Sequence, residues 1–119
     1  MALSGIADNV LADGLARIAG EVDALFDSLL PVPQDARARL IEAMRYAVIG
    51  GGKRIRPLLL VSTAEMYGVD RDSALRAGVA IEAIHAYSLI HDDLPCMDDD
   101  ELRHGKPTVH CAFDEATAV

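Results

Sequence analysis

Residues 82–108 read EAIHAYSLIHDDLPCMDDDELRHGKPT, and the fold turns on what happens where the apolar stretch Tyr87 to Ile90 meets the acids. Upstream, Ala80, Ile84 and Leu89 continue a helix that Asp70 or Asp72 can cap. Between Asp92 and Glu101, six of ten residues are acidic. Such density at a buried helix end is costly unless cations neutralise it. The plainer alternative is a solvated loop of mutually repelling side chains.

Spacing sharpens the choice. At about 100° per residue, Asp92 and Asp98 would stand roughly 120° apart on an unbroken helix, too far to share one cation. Pro95 cannot continue the hydrogen-bond ladder and is expected to bulge or break the helix. With two residues looped out, Asp98 returns to the face of Asp92 as in an i, i+4 pair. Hard carboxylate ligands of this kind suit Mg²⁺, which joins one or two carboxylates to substrate phosphates. A calcium loop does not fit. Its sixth and twelfth positions require glycine and glutamate, but they hold Met97 and Arg103 when counted from Asp92, and Arg103 and Val109 when counted from Asp98.

Two further features bear on the same chemistry. The stretch from Gly50 to Pro57, GGGKRIRP, puts three cations, Lys53, Arg54 and Arg56, in a glycine-rich turn that enters a helix N-terminus. Backbone N–H groups, the helix dipole and basic side chains together favour an anion. Read alone, the same stretch is a helix cap followed by a solvated basic loop. It is not a P-loop, because no strand precedes it and the G-x-x-x-x-G-K-[ST] spacing is absent. His85 lies seven residues before Asp92, two turns back and within roughly 20° of its face. Alone, such a histidine is a core residue; beside an anion loop and an acidic cluster it becomes a candidate cavity residue.

Outward from this region the pattern stays helical. Leu11, Leu15, Ile18, Val22, Leu25 and Leu29 follow steps of three and four in a first helix starting near Leu3, which Pro31 and Pro33 end. The same spacing fits a coiled-coil seam, but Gly14 and Gly20 favour packing inside a bundle. A second helix is expected from about Asp35 to Val48, with Leu40, Ala43, Met44 and Ala47 on one side. A third is expected from Pro57 to about Tyr67, before Gly68. No segment alternates with period two, so the chain is expected to be all-α. The last residues, Phe113 to Val119, resemble a helix begun but not closed, and the chain is expected to be truncated.

The 119 residues carry 19 acidic and 11 basic side chains, a net charge of -8. That balance disfavours nucleic acid or an anionic membrane as partner, and acid-rich proteins that handle phosphates need a bridging cation. No apolar run approaches the roughly 18 residues that span a bilayer. The N-terminus lacks a charged stretch followed by an apolar one, so a cytoplasmic location without membrane insertion is expected. Cys96 and Cys111 are too few for a disulfide framework, and with His91, His104 or His110 they lack zinc-ligand spacing.

Together GGKRIRP at 51–57, the 82–108 stretch and Glu115-Ala116-Thr117-Ala118 resemble the bacterial farnesyl diphosphate synthase family of trans-prenyltransferases. The resemblance is close over 47–119 and looser before it. It implies an isoprenoid-synthase-type bundle of antiparallel helices, of which 1–119 would be the N-terminal part of one synthase domain whose C-terminal part is absent. It also implies a homodimer and Mg²⁺-dependent 1′-4 condensation of isopentenyl diphosphate with dimethylallyl or geranyl diphosphate to give farnesyl diphosphate. By the same resemblance Asp92 and Asp98 would be Mg²⁺ ligands, with Asp93 and Arg103 in the catalytic set. Gly52, Lys53, Arg56 and His85 would bind isopentenyl diphosphate, Arg103 would bind the allylic diphosphate, and Tyr87 and Ser88 would line the chain-length pocket.

Two residues depart from the family pattern. His104 stands where a second arginine is usual, and a mostly neutral imidazole cannot make a bidentate fork. Glu101 replaces an aspartate. Family members also run well beyond this length and carry a second aspartate-rich motif, which 1–119 lacks, so the 119 residues alone are not expected to turn over substrate. A non-catalytic subunit that binds diphosphate or pairs with a catalytic partner is the alternative.

Overall fold

The computed structural model describes residues 2–119. Its elements are α1 (Ala2–Leu29), α2 (Ala38–Val48), α3 (Ile55–Met66), α4 (Arg71–Asp92), β1 (Leu102–Arg103), β2 (Lys106–Pro107), α5 (Val109–Ala112) and α6 (Glu115–Ala118). The chain divides into two compact units. One comprises the residues up to Leu25 with Lys53–Glu82, and the other comprises Phe26–Gly52 with Ala83–Val119.

In the first unit, Ile18 and Val22 of α1, Pro57 and Val61 of α3, and Leu75 and Val79 of α4 are buried. Each pair is spaced i, i+4, which stacks two side chains on one helix face. Gly78 permits a close approach of α4 to α3: a Cβ there would lie 3.3 Å from the Pro57 Cβ and 3.4 Å from its Cα. The expected α1 stripe is only partly realised, since Leu11 and Leu29 are exposed whereas Phe26, not foreseen, is buried in the second unit. Periodicity sets the direction of an apolar stripe; burial also needs a neighbour.

Local signals set the helix ends. α3 starts at Ile55 rather than Pro57, and its first backbone bond runs from the Leu58 N–H to the Arg54 carbonyl at 3.1 Å. Pro57 thus occupies the third helical position, where an N–H would have no partner within the helix. α3 closes at Gly68, φ 70°, with the Gly68 N–H on the Glu65 carbonyl and the Val69 N–H on the Ala64 carbonyl, the paired bonds of a Schellman motif. Of the two capping aspartates foreseen for α4, Asp70 does the work. Its carboxylate accepts from the Ser73 N–H at 3.0 Å.

In the second unit Ala43, Leu94, Val109 and Ala118 form the core, with Tyr46, Ala47, Ile90 and Phe113 packed against it. The Tyr46 hydroxyl donates to the Pro107 carbonyl at 2.6 Å, and Lys106 Nζ donates to the Tyr46 carbonyl at 2.7 Å. Arg45 donates to the Leu30 carbonyl at 2.8 Å and pairs with Asp27, tying α2 to the end of α1. α2 begins at Ala38 rather than Asp35, and Leu40 and Met44, expected to face inward, are exposed. The inward face is Ala43, Tyr46 and Ala47, which pack with Leu94 and Phe113.

One element was not foreseen. β1 and β2 pair antiparallel, with Leu102 opposite Pro107 and Arg103 opposite Lys106. Their two-residue turn holds His104 at φ 51° and Gly105 at φ 77°, the double positive φ of a type I′ hairpin. Four paired residues leave the fold class all-α.

Candidate functional site

Of the two outcomes expected at Pro95, a bulge or a break, the chain takes the break, and the acid run then returns on itself through the backbone. α4 stops at Asp92 and its end tightens: the Asp93 N–H bonds the Leu89 carbonyl and the Leu94 N–H the His91 carbonyl. Pro95 has no N–H to offer, and the chain reverses. The Met97 and Asp99 N–H groups both bond the Leu94 carbonyl, at 2.9 and 3.0 Å, and the Asp98 N–H reaches the Asp92 carbonyl at 2.8 Å. Asp99 takes a left-handed φ of 54° to complete the reversal, a conformation aspartate tolerates. The backbone of Asp98 is thereby fastened to that of Asp92. Asp92 is half-buried and Asp98 exposed. Among the described residues, no group of three or more His, Cys, Asp or Glu side chains is arranged to hold a metal ion.

Asp93 turns inward. It is 2 % exposed, and both carboxylate oxygens are engaged by Arg103, Nε to Oδ2 at 2.8 Å and Nη2 to Oδ1 at 2.7 Å. This is the bidentate fork that arginine's planar head allows. Hydrogen bonding to Asp93 lifts the Arg103 pKa above its ordinary value against the opposing effect of burial, and the charges of Asp93, Asp100 and Asp92 add to the lift. Buried Thr108 closes the same loop: its hydroxyl donates to the Asp100 carbonyl at 2.9 Å, and its N–H donates to that of Glu101 at 3.0 Å.

α4 is unbroken from His85 to Asp92, so the two residues stand two turns apart on one face, as the spacing predicts. His85 is half-buried, and its carbonyl accepts from the Ser88 hydroxyl at 2.7 Å. The Ser88 hydroxyl is thus directed back along its own helix. Tyr87 is 54 % exposed, its ring edge-on to that of His91 at 5.2 Å. His104, at the hairpin tip, is exposed.

The basic turn resolves into two kinds of cation. Lys53 and Arg56 are exposed, and among the described residues neither makes an ion pair. Arg54 is buried instead, 2.9 Å from Asp23 Oδ1 and 3.7 Å from Glu82 Oε1. It adopts φ 59°, ψ 33°, a left-handed backbone that costs a non-glycine residue on the order of 1–2 kcal/mol. Gly52, the neighbour before Lys53, also has a positive φ, 73°. Sequence reasoning grouped the three cations and so missed Arg54. One signal was available, because Glu82 falls in the buried series Leu75, Val79, Glu82, Ala86 of α4, where a carboxylate demands a partner. Neither Thr108 nor the Asp93–Arg103 pairing carries such a local signature.

Among the described residues no helix is long and apolar enough to cross a membrane. Residues 37–119 match the Polyprenyl synthetase family. The farnesyl diphosphate synthase of Haemophilus influenzae is 52% identical over 103 residues, covering 87% of this chain and 34% of the relative. The heterodimeric geranylgeranyl pyrophosphate synthase large subunit 1 of Arabidopsis thaliana is 48% identical, covering 82% of this chain and 26% of the relative. The chain therefore spans about a third or less of the length of these curated relatives. Among solved structures, an FPP/GFPP synthase from Zymomonas mobilis superposes with a TM-score of 0.90 at 63% identity, over 92% of this chain and 39% of that one. A geranyltranstransferase from Thermotoga maritima superposes with a TM-score of 0.80 at 38% identity, over 87% and 38%. The folded-back acid run, the forked Asp93–Arg103 pair and the all-α fold are thus features of a chain that belongs to the polyprenyl synthetase family.

Proposed function

We propose that these 119 residues are the N-terminal part of a single synthase domain, and that the protein containing them condenses isopentenyl diphosphate with dimethylallyl or geranyl diphosphate. The observation that carries this reading, beyond family membership, is the bond from the Asp98 N–H to the Asp92 carbonyl, which brings the second group of acids back to the first. The donor set fits Mg²⁺. The carboxylates of Asp92 and Asp98, on backbones joined by that bond, offer the hard oxygen donors of an ion that keeps waters and shares its remaining sites with substrate phosphates. Bound Mg²⁺ would supply Lewis-acid neutralisation of the charge developing on the departing diphosphate.

The chain's own residues have separable tasks. Asp92 and Asp98 would hold the ion. Asp93 fixes the plane of Arg103, whose remaining N–H groups would bind the allylic diphosphate. Lys53 and Arg56, exposed and making no ion pair among the described residues, would bind isopentenyl diphosphate, a role assigned also to Gly52, His85 and His104. Tyr87 and Ser88 would border the growing chain, and the aromatic at Tyr87 supports farnesyl diphosphate over a longer product. We further read the working protein as a homodimer.

The test uses the full-length protein. Asp92→Ala combined with Asp98→Ala should abolish Mg²⁺-dependent binding of a non-hydrolysable allylic diphosphate and reduce turnover at least a thousandfold, about 4 kcal/mol of transition-state stabilisation. Unchanged binding and turnover would refute the metal assignment. Tyr87→Ala should lengthen the product as read by chromatography of the dephosphorylated alcohols, and an unaltered C15 product would remove Tyr87 from the pocket.

A further inference from the structure

We propose that Arg54, held by Asp23 and Glu82, is a positioning residue for the diphosphate-binding turn: by burying its own side chain it keeps Lys53 and Arg56 exposed and, among the described residues, without an ion pair. The inference rests on reading that turn as the isopentenyl diphosphate site.

Three observations carry it. Arg54 is the residue at which the turn becomes α3, and it sits in the left-handed region that side chains other than glycine normally avoid. Such a conformation persists only where the surroundings over-determine it. The surroundings here are two carboxylates from two other helices: Asp23 on α1 and Glu82 on α4, with side-chain exposures of 4% for Arg54 and 6% for Glu82. Glu82 Oε2 is moreover buried without a hydrogen bond. Replacing a buried ion pair by apolar residues is often neutral or stabilising, so retaining one with an unsatisfied oxygen argues for placement rather than stability. Finally, the chain carries 19 acids to 11 bases. Without the anchor, Lys53 and Arg56 could swing toward some of those acids and the anion site would be lost. With the anchor, one cation of three takes the internal acids and the other two remain available.

The experiment compares Arg54→Met, Arg54→Lys and Glu82→Gln in the full-length protein. It measures isopentenyl diphosphate binding by calorimetry in EDTA, then KM and kcat with Mg²⁺. Arg54→Met should weaken isopentenyl diphosphate binding and raise its KM about tenfold, with kcat at saturation within about threefold of the parent and the KM of the allylic diphosphate unchanged. Arg54→Lys, which keeps the charge but has no second nitrogen to reach both Asp23 and Glu82, should fall between. A purely structural Arg54 would lower the melting temperature yet leave the KM of the folded enzyme alone, and that result overturns the proposal. If Arg54→Met does not fold, Glu82→Gln decides: a rise confined to the isopentenyl diphosphate KM supports it, and an unchanged KM overturns it. Lys53→Ala with Arg56→Ala tests the underlying reading separately. If that variant binds isopentenyl diphosphate normally, the turn is not the site and both readings fall. If it loses binding while the Arg54 and Glu82 variants do not, the positioning role alone fails.

Discussion

In one unit of this molecule an arginine is hidden and the acids come to it; in the other an acid is hidden and the arginine comes to it. Arg54 is buried between Asp23 and Glu82. Asp93 is buried beneath Arg103, whose side chain is 33% exposed. The consequences differ. A buried guanidinium anchors backbone, so its sequence neighbours gain a defined, exposed position. A buried carboxylate instead fixes the plane of a guanidinium that still reaches solvent, and among the described residues Arg103 Nη1 makes no hydrogen bond. The first arrangement presents other residues; the second presents its own cation. Satisfaction differs too, since both oxygens of Asp93 are paired whereas Glu82 keeps one unpaired.

The contrast makes its largest prediction at Arg54. Arg54→Met leaves Glu82 buried with no cation, and urea unfolding of the full-length protein should show a loss of about 3–5 kcal/mol. A loss below about 1 kcal/mol would mean that water reaches both acids, and the distinction between the units would dissolve. Arg103→Met strands Asp93 as well, but beside a partly exposed position that water can enter, so about 2 kcal/mol is expected from the same measurement. Equal losses at the two sites would make exposure irrelevant.

The hairpin that carries Arg103 offers a smaller test. Gly105 needs its φ of 77° to close the turn, and Gly105→Ala should cost about 1 kcal/mol. Its urea midpoint should fall by more than that of Gly51→Ala, where no positive φ is required.

The smallest effect concerns acid stability. Asp114 caps α6 by accepting from the Thr117 N–H and also pairs with Arg39; the backbone bond is the main cause that holds its pKa at about 2, below the ordinary 3.8. Because the folded value lies below the unfolded one, this contribution is complete above about pH 4 and is lost as the pH falls toward 2. In the first unit, Glu21 is lowered in the same direction, chiefly by its hydrogen bond to Arg71. Melting temperatures of Asp114→Ala should therefore vary less between pH 4 and 2 than those of the parent. Parallel curves would show that the cap does not discriminate between the two states.

Much of the fold was legible because its signals are local. Gly68 closes α3, Asp70 opens α4, and Pro95 ends the helical ladder of the acid run; each acts through bonds within a few residues of itself. The break at Pro95 followed from the same kind of reasoning, whereas the bond by which the Asp98 N–H returns to the Asp92 carbonyl belongs to a turn beyond the helix end rather than to an i, i+4 pair on one helix face. The α2 face was misjudged because Leu40 and Met44 are the larger apolar side chains, whereas the inward side is chosen by where Leu94 and Phe113 lie. The hairpin was missed because His104-Gly105 lacks the Asn-Gly signature of its turn type, though histidine is among the residues that tolerate a left-handed backbone.

By itself the sequence determined the helical class, the break in the acid run, the exposed cations on either side of Arg54 and the family to which the chain belongs. These rest on steric and hydrogen-bonding preferences that operate over a turn or two, and on motifs that survive as strings of residues. Only the tertiary structure decided that Arg54 is internal, that Asp93 serves Arg103, and that Thr108 closes the acidic loop. Partners separated by 10, 28 or 31 residues meet only after helices pack, because a charge chooses its counterion by burial and distance in space, neither of which a local pattern contains.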